Sequence, residues 1–302
     1  MNGVLIIDKP QDFTSFDVVA VMRRLCQERK IGHTGTLDPM ATGVLPLLLG
    51  KATRAASLLE DTDKEYIAGF QFGVETDTQD STGKVMRQSK TKATKEQLLA
   101  ILPQFTGDIM QVPPMYSAVS KDGQRLYKLA RQGIEIERDS RPITIEKLIV
   151  NEFDETTQTG SLTVSCSKGT YIRTLCADIG IALQSFGIMT SLRRTRAAGF
   201  SLSDSVSLEE ARRLSAEGTL EQKVLPVERL FETYEALAVT TAQAARFCNG
   251  GGLSLERTGL LQQQKTDCNI VRVYSPDRIF LGLAKVNLEK AELGILKLFC
   301  GQ

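Results

Sequence analysis

Histidine is nearly missing from this chain, with His33 the single example, and tryptophan is missing altogether. One imidazole cannot complete a typical zinc site. The six cysteines (Cys26, Cys166, Cys176, Cys248, Cys268 and Cys300) include no C-x-x-C pair to stand in for it. No metal is expected, and most thiols are expected to be reduced, small and buried. Long apolar runs are lacking as well: none approaches the roughly 20 residues needed to span a bilayer. The opening MNGVLIIDKPQDFTS has an apolar stretch of only Val4 to Ile7 and no basic lead, so it does not read as a signal peptide. A cytoplasmic location is the expectation. No charge predominates either, since 37 Lys and Arg against 36 Asp and Glu leave a net +1. That balance does not announce a nucleic-acid binder, yet holding phosphate needs only local basic surface. No internal repeat or low-complexity tract occurs.

What is present suits a folded protein of one large and one small domain, or two of middling size: 302 residues, 42% of them apolar. The informative stretch is IGHTGTLDPMATGVLPLLLGK, residues 31–51. Pro39 pushes Asp38 off the helical region, so its carboxylate is expected on a turned or extended backbone. Val44 to Leu49 reads as a short buried strand in which Pro46 argues for an edge or a bend. An Asp-Pro pair is also an ordinary turn starter. A carboxylate on a glycine-rich loop braced by a buried strand is nevertheless a place for chemistry.

Elsewhere, residues 3–8 read as a strand, and Ser15 is placed to cap a helix through Cys26. The basic cluster Arg23, Arg24, Arg29 and Lys30 is either a solvated helix end or a phosphate contact. Lys51 to Leu59 reads as helical. Lys64 to Gly73 alternates, with Tyr66, Ala68, Phe70 and Phe72 on one side of a strand. The loop ETDTQDSTG, residues 75–83, reads as solvated and without special chemistry. Thr94 and Gln97 offer a capping box. A helix over 124–132, ended by Gly133, would set Arg125, Lys128 and Arg131 along one side. Strands are expected at 143–153 and 161–168, then a helix capped by Thr170, and another whose capping box is Ser207 and Glu210. Beyond about residue 232 the texture changes. A helix starts at Thr240, and NIVRVY, RIFLGLAKV and GILKLF read as short strands of a small β barrel.

Taken whole, GHTGTLDPMATGVL closely resembles the signature of bacterial TruB-type tRNA pseudouridine synthases. The opening D-K-P followed by Thr14-Ser15, Tyr66 after D-K-E, and T-D-T-Q-D-S-T-G are similar to further family blocks. So are PPMYSAVSKDGQRLYKLARQG and K-G-T-Y-I-R-T. The resemblance implies an α/β (α+β) fold on a mixed, largely antiparallel sheet crossed by a catalytic cleft. It divides the chain into a catalytic domain, 1–232, and a PUA-like RNA-binding β barrel, 233–302. It implies isomerisation of the T-loop uridine at position 55 of tRNA, with Asp38 as nucleophile, Arg173 paired with that carboxylate and Tyr66 stacked on the base. Tyr171 and Leu192 would line the nucleotide pocket, His33 would fill the space left by the extruded uridine, and Arg125, Lys128 and Arg131 would face RNA.

The chemistry suits those residues. Breaking N1–C1′, turning the base and joining C5 to C1′ asks for a group that can add to carbon and leave again, and a carboxylate can. Attack at C6, attack at C1′ and a glycal route all remain open. Reactant and product are isomers, so no cofactor is expected, and tRNA is the expected partner, without an obligate protein partner. Two other classes fit less well. A glycosidase needs a second placed carboxylate, and none stands out. A non-catalytic RNA-binding or tRNA-folding protein would use Asp38 only to shape a loop.

Overall fold

The computed structural model describes residues 1–59, 63–121, 123–258, 260 and 270–300, which leaves Cys268 outside the described residues. Its backbone is a mixed sheet of ten strands among the described residues. β1 (Gly3–Lys9), β2 (Ile31–His33), β3 (Thr42–Leu49) and β4 (Lys64–Phe72) come first. β5 (Gly107–Gln111), β6 (Arg141–Asp154), β7 (Thr159–Cys166) and β8 (Gly187–Ala197) follow. The order is Val206–Ser207, β1, β3, β8, β4, β7, β6, β5, with β2 beside β3 and Phe200–Ser201 beside β8. Pairing is antiparallel except between β1 and Val206–Ser207 and between β3 and β8.

The alternating residues of β4 do what their period dictates. Tyr66, Ala68, Phe70 and Phe72 are buried, and Phe70 and Phe72 meet Phe153 from β6. Each such buried ring contributes about 1.5–3 kcal/mol. β3 is an interior strand, which corrects the expectation of an edge at Pro46. β3 changes partner there, from β8 at Thr42 and Gly43 to β2 at Leu47 to Leu49. The Pro46 carbonyl points into that changeover and accepts the Thr34 N–H at 3.2 Å. The missing proline N–H lies on the same side, where the ladder has no donor to lose.

Helix α1 (Ser15–Leu25) is capped by Thr14, not Ser15: Thr14 and Asp17 exchange side-chain and backbone bonds in a capping box. Ser15 is buried instead, and its Oγ accepts the Leu37 N–H at 2.9 Å. Helix α2 (Lys95–Ile101) has the expected Thr94–Gln97 box. Residues Gly50–Leu58 form a 3-10 helix. Helix α3 (Leu126–Arg131) is shorter than expected, because Gln124 and Arg125 pair with Ser120 and Lys121 in a small hairpin. Helix α4 (Ile172–Ala182) begins after Tyr171, and Thr170 donates to the Ser167 carbonyl rather than capping it. Ser207 caps helix α5 (Leu208–Ala216), but Glu210 turns to Arg213, so the box is half made.

After helix α6 (Thr241–Cys248), capped by Thr240 and Gln243, the chain completes an open five-stranded sheet curled into a half-barrel. Its order is Glu235–Ala238, Ile270–Tyr274, Phe280–Asn287, Glu292–Leu298, Leu253–Ser254. This is the architecture of a PUA-like domain. Cys248 and Cys300 are joined as a disulfide, a pairing the sequence reading did not anticipate. Cys26, Cys166 and Cys176 are free and buried, and burial pushes their thiols up to about 11, 11 and 12. The small sheet also shares a core with the large one: Phe280, Leu283 and Phe299 pack with Leu230 and Phe231 and with Val4 and Ile6 of β1.

Candidate active site

The link from β2 to β3 carries Asp38, and four interactions hold it. The Leu37 N–H is bonded to Ser15. The Asp38 carbonyl accepts the Ala41 N–H at 3.0 Å, closing a turn with Pro39 at its second position. The Pro39 carbonyl accepts the Asp12 N–H at 2.8 Å and the Lys9 ammonium at 3.1 Å. Lys9 is wholly buried and donates also to the carbonyls of Pro10 and Phe13. Burial pulls its ammonium down to about 8, with the Asp38 charge opposing. Beneath the loop lies Arg194, 1% exposed, which donates to the carbonyls of Val44 at 2.7 Å and Gly35 at 3.2 Å. Gly43 is required at φ +104°, because a Cβ there would lie 2.2 Å from the Arg194 carbonyl oxygen.

Asp38 is paired with Arg173 of α4, whose Nε lies 3.1 Å from the carboxylate. The rest of the guanidinium is committed elsewhere. Nη1 donates to the Thr78 carbonyl at 3.1 Å and Nη2 to the Tyr116 carbonyl at 2.9 Å. Nη1 also lies 3.8 Å from Asp80. Asp80 is 5% exposed and accepts from the Thr78 hydroxyl and from both the backbone and hydroxyl of Thr82. The 75–83 loop is therefore not merely solvated. It docks against β8 through the Ser81 N–H and Met189 carbonyl, and reaches the back of the arginine.

The cleft above this pair has a volume of about 870 Å³. His33, Asp38, Tyr66, Arg125, Arg131, Tyr171, Arg173 and Leu192 all line it; Lys128 does not. The shortened α3 explains the exception. Tyr127 and Arg131, four residues apart, share its cleft side, whereas Lys128 points to solvent. Arg131 stacks over the Tyr127 ring at 5.6 Å, and Arg125 is tied to the Ala118 carbonyl at 2.6 Å. Tyr171 is held through its backbone by the buried Gln111 amide, at 2.8 and 3.1 Å. Tyr66 is 8% exposed, so it belongs to the cleft wall rather than presenting a free ring. Burial pushes its phenol up, with the Arg194 charge pulling the other way.

Burial, and then the Arg194 charge, lower the His33 imidazole from its ordinary 6.5, which favours the uncharged ring. Its ring meets Phe16 edge to face at 5.4 Å. Sequence reading missed Phe16, Lys64, Tyr116 and Tyr127, all of which line the cleft, and Lys9, Asp80, Gln111 and Arg194, which support it. Among the described residues, no group of three His, Cys, Asp or Glu side chains comes together to hold a metal.

A mixed sheet crossed by a cleft with a carboxylate–arginine pair at its floor, and a curled β unit beyond, is the plan of a pseudouridylate synthase. Residues 23–172 match the model of the TruB family pseudouridylate synthase N-terminal domain. Residues 173–232 match that of the tRNA pseudouridylate synthase B C-terminal domain. The tRNA pseudouridine synthase B of Clostridium tetani is 41% identical over 297 residues, covering 96% of this chain and 97% of that protein. That of Dechloromonas aromatica is 45% identical over 255 residues, 84% of each. A solved Cbf5-Nop10-Gar1 complex matches 99% of this chain and 85% of its own at 25% identity, with a TM-score of 0.75. The chain belongs to the TruB family of pseudouridylate synthases.

Proposed function

We propose that this chain isomerises the T-loop uridine at position 55 of tRNA to pseudouridine in the cytoplasm, using Asp38 as nucleophile. The observation that supports this most is the Asp38–Arg173 pair at 3.1 Å, set in a cleft walled by Tyr66, Tyr171 and Leu192. The uridine must be extruded from its loop to reach the carboxylate. Asp38 adds to the nucleotide and leaves again, N1–C1′ breaks, and C5 joins C1′. N1 gains a proton and C5 loses one, so the reaction balances without a redox partner. Tyr66 stacks on the uracil from the cleft wall, and its hydroxyl takes part in removing the C5 proton. Arg173 holds the carboxylate in place. His33 contacts RNA as a neutral ring, while Arg125 and Arg131 meet phosphate at the cleft and Lys128 outside it. Residues 1–232 act as the catalytic domain, and residues 233–302 add RNA affinity.

A glycosidase reading is disfavoured by the position of the second carboxylate. Asp80 lies behind Arg173, 5% exposed, with one oxygen occupied by Thr78 and Thr82, where it cannot face a sugar. The test is tritium release from tRNA labelled at uridine C5. Wild type should release the label. Asp38→Asn should release none while keeping tRNA affinity within about tenfold, or ~1.4 kcal/mol. Substantial turnover by that variant, with deamidation excluded by mass spectrometry, would remove Asp38 from the chemistry.

A further inference from the structure

Phe16 is 71% exposed, the most exposed of the large apolar side chains among the described residues, and it stands at the mouth of the cleft. Folding gives no reason for it. The buried side of α1 consists of Ser15, Val18, Val19 and Met22, and Phe16 falls off that stripe. Its ring touches one other aromatic, His33, edge-on at 5.4 Å and 79°. Its position is nevertheless fixed. Thr14 and Asp17 close a capping box around it, and Ser15, its neighbour, is bonded to Leu37 beside Asp38. An exposed aromatic face on a fixed backbone position beside a basic cleft suits a planar, unpaired partner.

We propose that Phe16 is a substrate-positioning residue whose ring stacks on an unpaired loop base next to the extruded uridine, with His33 bracing it from the side. This rests on the reading that the cleft takes a folded RNA loop. Every base has a π-face, so the contact sets position without reading sequence. The helix start also couples that position to chemistry: a base resting on Phe16 is registered against the same turn that fixes Leu37 and Asp38.

The test uses the full chain and a T-arm stem-loop RNA, intact or with one loop base at a time replaced by an abasic residue. Phe16→Ala should weaken binding of the intact RNA by about five- to 150-fold, the range for losing one base–aromatic stack. Phe16→Tyr should bind within about threefold of wild type, whereas Phe16→Leu, apolar but not planar, should stay near the alanine variant. One abasic position should bind wild type and Phe16→Ala equally, because the stacking partner is already gone. Binding of Phe16→Ala within twofold of wild type would overturn the proposal. So would full rescue by leucine, or an alanine defect that persists at every abasic position. Tritium release by wild type is scored separately. If it fails while the Phe16 pattern holds, the reaction is wrong and the stacking site stands; if it succeeds while the pattern fails, only the stacking site falls.

Discussion

Deleting residues 233–302 should destabilise the remainder, although the family division places the boundary there. Leu230 and Phe231 remain in the shortened chain, 9% and 1% exposed in the intact one. Phe231 loses Phe280 at 6.3 Å, Phe299 at 5.8 Å and Tyr234 at 6.2 Å. Full exposure of a Leu or Phe side chain costs about 1.5–3 kcal/mol. Both keep their neighbours on the large sheet, so about half of the summed cost applies, or ~1.5–3 kcal/mol. At ~2–4 °C per kcal/mol for a chain of this size, Tm should fall by about 3–12 °C. The assay is thermal melting by circular dichroism of the full chain and of 1–232, with Phe280→Ala in the full chain as the control that keeps every domain. Phe280→Ala should lower Tm within a single transition, because the two sheets share that core. A 1–232 fragment melting within 2 °C of the full chain would refute the reasoning, as would two separate transitions in the full chain.

Lys9→Met removes the donor from the carbonyls of Pro10 and Phe13, at ~1–3 kcal/mol for each that stays dry, and leaves Pro39 bonded to the Asp12 N–H alone. It should cut tritium release at least ~10-fold by loosening the turn that carries Asp38. Equal turnover in a stably folded variant would deny it that role. Wild-type Lys9, lowered from 10.5 to about 8, carries a burial cost below pH 8 that is relieved as pH rises towards 10.5, so Lys9→Met should lack this rise in stability. His33 gives a second window of the same sign at lower pH. Its folded value lies below 6.5, so the unfolded chain takes up protons first and stability falls as pH drops below 6.5. Urea titrations across pH 5–8 should show that component in wild type and not in His33→Gln. Paired Arg125→Gln and Arg131→Gln should make the salt dependence of tRNA affinity shallower by about two counterions, and Lys128→Gln by one or none. An unchanged slope in the double variant would return α3 to an ordinary solvated helix.

Much of this molecule was legible before any coordinates. The period-2 stripe of β4 identified its buried side because alternation there is a local property. The Asp38–Arg173 pairing came from matching motif strings, not from spacing, since nothing local links two residues so far apart. The failures share one cause. Thr14 and Ser15 are both good caps, and Leu37, distant in sequence, decides which one is spared for other work. Asp80 looked like one more acid in a polar loop until β8 and α4 closed over it. Lys9 sits in a turn-like Asp-Lys-Pro, yet three carbonyls from two segments enclose its charge. Arg194 lies in the basic run Arg193-Arg194-Thr195-Arg196, and strand register turns it inward. The Cys248–Cys300 pairing had no spacing signal at all.

Arg173 also bears on how the site comes into being. Its contacts reach Tyr116 and Thr78, 57 and 95 residues back along the chain, and Asp38 further still. Loop-closure entropy must be met before any of these contacts can form, and none can persist without the sheet that brings the segments together. The Asp38–Arg173 pair is therefore a property of the assembled sheet and of no single segment, so a chain that lacks any one of these docked segments lacks the pair in its native form.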